Sequence, residues 1–351
     1  MYKESKMLFQ VKEIDKQIYR DELAGFLPPK MIDVHTHVWL DTFIERAAVP
    51  SRGAKWPSVV AKQNPIEDLL ETYRLMFPQQ QVTPIIFSTA RAGVVHEQAN
   101  SYISQVARQY HLPAFLITKH EWSAEQLERY VKEGDFLGLK PYLNFAPAHI
   151  PSADITIFDF LPHHHLEVAD ARGWIVMLHI PRPQRLKDPL NLAQMLEIEK
   201  RYPNVKLIIA HIGRAYCAED VGNAFDLLGK TDHMLFDFSA TTNAEVIEQC
   251  LRTVGPKRVL FGSDLPILRM RMRRICENSR YINLVPPGLY GDVSDDPHMR
   301  EVSKEEGEKL SFFMYEELRA FRRAAETIGS TTADLEDVFY NNAARLIGKD
   351  V

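Results

Sequence analysis

The sequence predicts an α/β fold of the (β/α)8 barrel type. Three observations carry this expectation: eight short apolar runs, helix-period segments between most of them, and histidine or aspartate at the C-terminal ends of several runs. Near-continuous apolar strands separated by helices form a parallel sheet covered on both faces. Eight such units fit a chain of 351 residues as one closed barrel. A doubly wound open sheet is the alternative, but no glycine-rich phosphate loop follows the first strand.

The elements follow in order. Residues 1–30 are charged and periodic as far as Leu27-Pro28-Pro29 and read as an N-terminal helical extension. Strand 1 covers 31–36. The stretch 38–64 carries Pro50, Gly53 and Pro57, so it reads as a long loop or partial lid. A helix over 65–78 has Pro65 near its start. Strands then fall at 82–87, 114–117, 136–140, 174–179, 205–211, 233–237 and 258–264. Helices are expected at 95–110, 123–133, 163–172, 189–202, 218–230 and 243–254, with a Pro-rich loop at 141–162. Residues 265–302 read as a long irregular excursion, 303–328 as one amphipathic helix and 332–348 as a last helix. No repeat or linker divides the chain, so 1–351 is expected to be a single domain.

Composition narrows the function. A hydrophobic share of 45% with 25% charged residues fits a globular enzyme with a substantial core. A net charge of -5 gives no electrostatic reason to expect nucleic acid. No apolar run reaches membrane-spanning length, and the N-terminus lacks a signal-peptide core. Cys217, Cys250 and Cys276 are too few and scattered for a disulfide framework, which points to a reducing, cytoplasmic setting.

The chemistry gathers at the strand ends. In Met31-Ile32-Asp33-Val34-His35-Thr36-His37, alternation in a strand sends both imidazoles to one face. A second such pair, His163 and His165, follows Pro162 and reads as a solvated helix start. The same barrel end receives Lys140 from strand 4, His179 from strand 5, His211 from strand 6 and Asp264 from strand 8. Buried histidine and aspartate need partners, so their repeated placement at one mouth points to a shared ligand. Imidazoles with one carboxylate and no thiolate suit one divalent ion: zinc first, with manganese, iron or cobalt as alternatives. Asp264 is suited to coordinate and to accept a proton from water, and His211 to move a proton.

The segments Val34-His35-Thr36-His37, Leu178-His179, Ile209-Ala210-His211-Ile212-Gly213 and Leu260-Phe261-Gly262-Ser263-Asp264 together resemble the amidohydrolase superfamily. They are most similar to its amidohydrolase-related branch, with aminocarboxymuconate-semialdehyde decarboxylase-like enzymes. The tail Val338-Phe339-Tyr340-Asn341-Asn342-Ala343-Ala344-Arg345-Leu346 resembles that branch's closing helix. The resemblance implies that His35, His37, His179 and Asp264 hold one metal, with His211 catalytic or a further ligand. It also raises a less favoured reading, in which a carbamylated Lys140 bridges two ions, against Lys140 as a substrate-binding cation. A homodimer is an expectation from the branch alone.

Arginines supply the remaining candidates. Arg269, Arg271, Arg273 and Arg274 follow strand 8, and Arg269 and Arg271 lie closest to the site in sequence. Arg182 and Arg185 follow strand 5, Arg214 and Tyr216 follow strand 6, and Arg91 and His120 follow strands 2 and 3. Arg182, Arg214, Arg269 and Arg271 are the expected substrate contacts, through charge-assisted bonds to an anion. The expected activity is metal-dependent hydrolysis of an amide, ester or lactone of a small anionic substrate by a metal-activated water. A metal-dependent non-oxidative decarboxylase is the alternative, and a non-catalytic ligand-binding barrel the minor one.

Overall fold

The computed structural model describes residues 8–45, 52 and 56–348. The expected N-terminal helices and the lid therefore fall partly outside the described residues, at 1–7, 46–51 and 53–55.

Eight parallel strands form the ring: β1 (Lys30–His37), β2 (Gln81–Phe87), β3 (Phe115–Ile117), β4 (Gly138–Lys140), β5 (Ile175–Leu178), β6 (Lys206–Ile209), β7 (Leu235–Asp237) and β8 (Val259–Leu260). β1 pairs with β2, and β3 to β8 pair in sequence order. A bridge from Ile86 to Ala114 joins the two groups. Closure between β8 and β1 comes from the Thr36–Leu265 bridge and from the Val34 N–H donating to Phe261 O at 3.0 Å. The strands are apolar because both faces are covered. Ile32, Val34, Ile85, Met177, Ile208 and Leu260 pack in one cluster, to which Ala343, Ala344 and Leu346 of the C-terminal helix belong. A second, larger cluster holds the residues packed around the strands, from Ile18 to Phe339.

The mouth departs from the sequence expectation in three places. Residues 265–302 are not irregular: β9 (Arg273–Glu277), β10 (Arg280–Val285) and β11 (Met299–Glu301) build a small sheet in the order β11-β10-β9. Asn278 and Ser279, both in the left-handed region, turn β9 into β10. Consecutive charges in Arg273-Arg274 mask the period-2 pattern of a strand. The expected helix over 303–328 is split into Lys304–Glu308 and Phe313–Ile328. Tertiary bonds win there, since Met272 N–H donates to Ser311 O and Phe313 N–H to Met270 O. Finally, Cys217 and Cys276 form a disulfide with Cα atoms 5.9 Å apart. Their separation of 59 residues concealed the pairing, and the inference of a reducing setting loses its support. Cys250 is free and buried.

The His163–Arg172 helix starts as expected, but His165 is fully buried and donates from Nε2 to Trp122 O. Among the described residues, no helix is long and apolar enough to cross a membrane.

Candidate metal centre and its cleft

A β-bulge decides where β1 aims its histidines. The β1–β2 register shifts between Asp33 and Thr36. Ile32 and Val34 belong to the apolar cluster of the ring, whereas His35 and His37 line a cleft at the mouth. The extra residue changes the phase of the alternation, so the apolar face is followed by the histidine face. Gly262 makes room beside it: a Cβ there would stand 2.9 Å from the His35 Cβ.

Three imidazoles are oriented by what their Nδ1 atoms touch. His35 Nδ1–H donates to Asp237 Oδ2 at 3.0 Å. His37 Nδ1–H donates to Ser88 O at 3.0 Å, and His211 Nδ1–H to Ser239 O at 3.1 Å. That assignment leaves each Nε2 with a lone pair, the form a metal requires. His37 Nε2 lies 3.3 Å and His35 Nε2 3.6 Å from Asp264 Oδ1. His35, His211 and Asp264 offer ligand atoms within 4.8 Å of one another.

The electrostatics agree with that form. Burial, then the charge of Lys140, pulls the His35 imidazole down to about 3. Burial also lowers His211 and takes His179 well below its ordinary value. All three are therefore neutral near pH 7. Burial pushes the Asp264 carboxyl up, but its contacts with His37, His211 and His35 outweigh it and hold it at about 2. Neutral imidazoles around one ionised carboxylate, all buried, suit a divalent cation, and no thiolate takes part.

The structure brings together part of the expected set. His35, His37, His179, His211 and Asp264 all line the cleft, which has a volume of about 1110 Å³. His211, expected chiefly to move protons, stands inside the compact group. His179 stands outside it, its ring centroid 5.3 Å from that of His211.

The expected substrate contacts are mostly redistributed. Arg214 lines the cleft while its Nη1 donates to Ile180 O and Pro181 O. Arg271 does not reach the cleft: its guanidinium grips Asp15 at 2.9 and 2.6 Å and ties down the N-terminal helix Glu13–Ile18. Arg269 donates to Asn64 Oδ1, and Arg182 pairs with Asp188, the cap of the helix Pro189–Arg201; neither lines the cleft. Lys140 is wholly buried, its Nζ 5.2 Å from the Phe87 ring centroid and without a hydrogen bond, and is not on the cleft wall. Burial takes its ammonium down to about 8. Arg185 pairs with Asp220, and His120 Nδ1–H donates to Phe145 O. Arg91 does line the cleft.

Two buried carboxylates that accept hydrogen bonds from His35 escaped the sequence reading. Asp237, at the end of β7, accepts from His35 Nδ1–H, from the His211 and Ser239 N–H groups and from the Ser239 hydroxyl. Burial raises its carboxyl, but His35, His211 and Ser239 outweigh that and hold it below the carboxylate range. Asp33 accepts from the N–H groups of His35 and Ser263 and from Tyr73 OH, stapling β1 to the end of β8. Burial pushes its carboxyl up to about 7 despite these bonds. Both sit within apolar runs near the proposed ligands, and that was the only signal available. Tyr142, Tyr216, Tyr281 and Arg274 complete a wall of the cleft.

The amidohydrolase family model matches residues 32–349. No curated protein sequence matches the chain. Solved structures share the fold at low identity. An amidohydrolase from Burkholderia multivorans with bound zinc is 15% identical with a TM-score of 0.56, over 91% of this chain and 99% of that one. A probable 2-pyrone-4,6-dicarboxylic acid hydrolase from Acinetobacter baumannii, with citric acid bound, has the same identity, TM-score and coverage. A dihydroxybenzoic acid decarboxylase from Polaromonas sp. JS666, with manganese and 2-nitroresorcinol, is 16% identical with a TM-score of 0.54, over 92% of this chain and 97% of that one.

Proposed function

The chain belongs to the amidohydrolase family, and on that premise we propose that it is a metal-dependent hydrolase. Its substrate is a small anionic molecule with an amide, ester or lactone bond. One observation carries the reading: the Nδ1 atoms of His35, His37 and His211 are engaged away from the cleft, while Asp264 stands beside the Nε2 atoms of His35 and His37. His35, His211 and Asp264 would hold the ion, with His37 and His179 at its margin. A divalent ion, zinc or manganese by analogy with the solved structures, polarises a carbonyl and lowers the pKa of water.

The chain's own groups do the rest. Asp264 is ionised and exposed enough to the cleft to take a proton from the attacking water. Once protonated, Asp264 can return that proton to the leaving group, while the neutral imidazole of His179 lines the same cleft. Tyr142 and Arg214 line the cleft where they orient the substrate.

A second reading is decarboxylation of an aromatic acid, favoured by the rings of Tyr142, Tyr216, Tyr281 and Trp56 along one wall. Metal analysis of the purified protein, followed by turnover of lactones, amides and aromatic acids in labelled water, decides between them. Solvent oxygen in the product supports hydrolysis. Carbon-bound solvent hydrogen with released carbon dioxide assigns decarboxylation. Protein purified under metal-replete conditions with no bound metal would overturn both.

A further inference from the structure

Arg274 stands apart from the other arginines that follow the barrel strands. Arg182, Arg185 and Arg271 each pair with a carboxylate. Arg274 is only 9% exposed and forms no ion pair among the described residues. Instead, four rings surround it. Its Cζ lies 4.5 Å from the Tyr281 centroid, 4.6 Å from Phe313, 4.7 Å from Tyr216 and 5.9 Å from Trp56. Nε donates to Asn283 Oδ1 at 2.9 Å and Nη1 to Ala240 O at 2.6 Å, which leaves Nη2 without a hydrogen bond on a residue that lines the cleft.

These partners have a common property. Ring faces, a carbonyl and an amide oxygen all attract a cation, yet none cancels its charge. A guanidinium held this way is fixed in place and keeps its full charge toward the cleft. Arg214, on the same wall, also has no ion pair among the described residues, its Nη1 being committed to carbonyl oxygens. Two cations without an ion-pair partner on one wall of the cleft form a carboxylate receptor, because a bond between a guanidinium and a carboxylate is charge-assisted.

We infer that Arg274 is a specificity-determining residue: it binds a carboxylate of the substrate, through Nη2, on the wall formed by Tyr216 and Tyr281. The substrate is thus a carboxylic acid whose reacting bond lies at Asp264 while its carboxylate reaches the small sheet. The position of the reacting bond rests on the hydrolase reading; the carboxylate contact does not. Lysine in place of Arg274 would keep the charge and lose the fork that Asn283 and Ala240 hold.

Calorimetric titration of the purified holoprotein with benzoate, glutarate and the neutral benzamide tests this, with metal content measured on every sample. At least one acid binds at least tenfold more tightly than benzamide. Arg274→Gln weakens that acid at least tenfold without changing metal content, Arg274→Lys weakens it less, and Arg273→Gln, on the exposed side of β9, leaves it unchanged. Equal binding of the acid by wild type and Arg274→Gln overturns the inference, as does a wild type that does not distinguish acid from amide. If Arg274→Gln does not fold, Arg274→Lys decides: undiminished acid binding there overturns it. Protein that binds the acid through Arg274 but holds no metal would overturn the hydrolase reading alone.

Discussion

Replacing Asp237 with asparagine would test what orients the metal ligands. Asp237 Oδ1 accepts from the His211 N–H at 2.9 Å and the Ser239 N–H at 3.1 Å, and Oδ2 accepts from His35 Nδ1–H at 3.0 Å. In Asp237→Asn the amide oxygen must take the Oδ1 position, because two backbone N–H groups point at it. The NH2 group then faces His35 and donates to Nδ1. The imidazole proton moves to Nε2, the atom 3.6 Å from Asp264 Oδ1, where it removes the lone pair a metal needs. Flipping the amide instead sets NH2 against both backbone donors and loses two hydrogen bonds, at about 1 kcal/mol each before any repulsion. Either route costs roughly 2–3 kcal/mol, about a hundredfold in metal affinity and at the upper end for groups that orient a ligand. Competition titration against a chelator reads the affinity, and histidine nitrogen shifts in metal-free protein report the tautomer directly. A folded variant with wild-type affinity and a deprotonated His35 Nε2 would refute this account of the site.

Three further outcomes follow from the same structure. Gly262→Ala places a Cβ 2.9 Å from the His35 Cβ, so one of the two must move; about 1–3 kcal/mol of stability and part of the bound metal should be lost, read by urea unfolding and metal analysis, and an unchanged midpoint would count against the packing described. Reducing the Cys217–Cys276 bond, or substituting Cys276→Ser, opens a loop of 59 residues and should lower stability by up to about 4 kcal/mol; thiol titration finding three free thiols in unreduced, denatured protein would remove the premise. Burial depresses His96 and His165 to about 4 from an ordinary 6.5, so the fold favours their neutral forms. Their contribution is complete above pH 6.5 and is lost as pH falls toward 4, by roughly 3 kcal/mol each. His96→Phe should flatten the fall in Tm between pH 6.5 and 4.5, and an unaltered slope would refute its share.

What could be read from the sequence tracks how local the determining physics is. The ring strands were legible because a strand buried on both faces must be apolar along its whole length, as in Ile175–Leu178 or Leu207-Ile208-Ile209. The strand-end histidines were legible because a barrel gathers those ends at one mouth. The bulge in β1 was not, since Asp33-Val34-His35 alternates equally well with or without the extra residue. Nor was the role of Arg271. Its position two residues beyond Arg269 gave it the same claim on the substrate, and only the fold brings Asp15, 256 residues away, to its guanidinium. Arg274 lay farther along the same run and was the one to reach the cleft, because β9 crosses back over the mouth before any helix resumes.

The turn after β7 explains why the ligand group and the cationic wall stand in fixed relation. Ser239 presents its carbonyl to His211, and its hydroxyl lies between His211 and Asp237. The next residue, Ala240, sits in the left-handed region at φ 55°, a strained position for alanine. Its N–H donates to the buried carboxyl of Glu317 and its carbonyl accepts from Arg274. One turn therefore carries the support of an imidazole on one side and of a guanidinium on the other. Glu317 comes from the helix Phe313–Ile328, whose Phe313 also closes the ring cage around Arg274. Anything that shifts that helix moves both ends of the cleft together, so the spacing between His211 and Arg274 is held by backbone rather than by flexible side chains. A barrel can keep its ligand group while substrate length changes, provided that turn and the small sheet change with it; in this chain the disulfide from Cys276 to Cys217 ties the sheet to the segment that carries Arg214 and Tyr216.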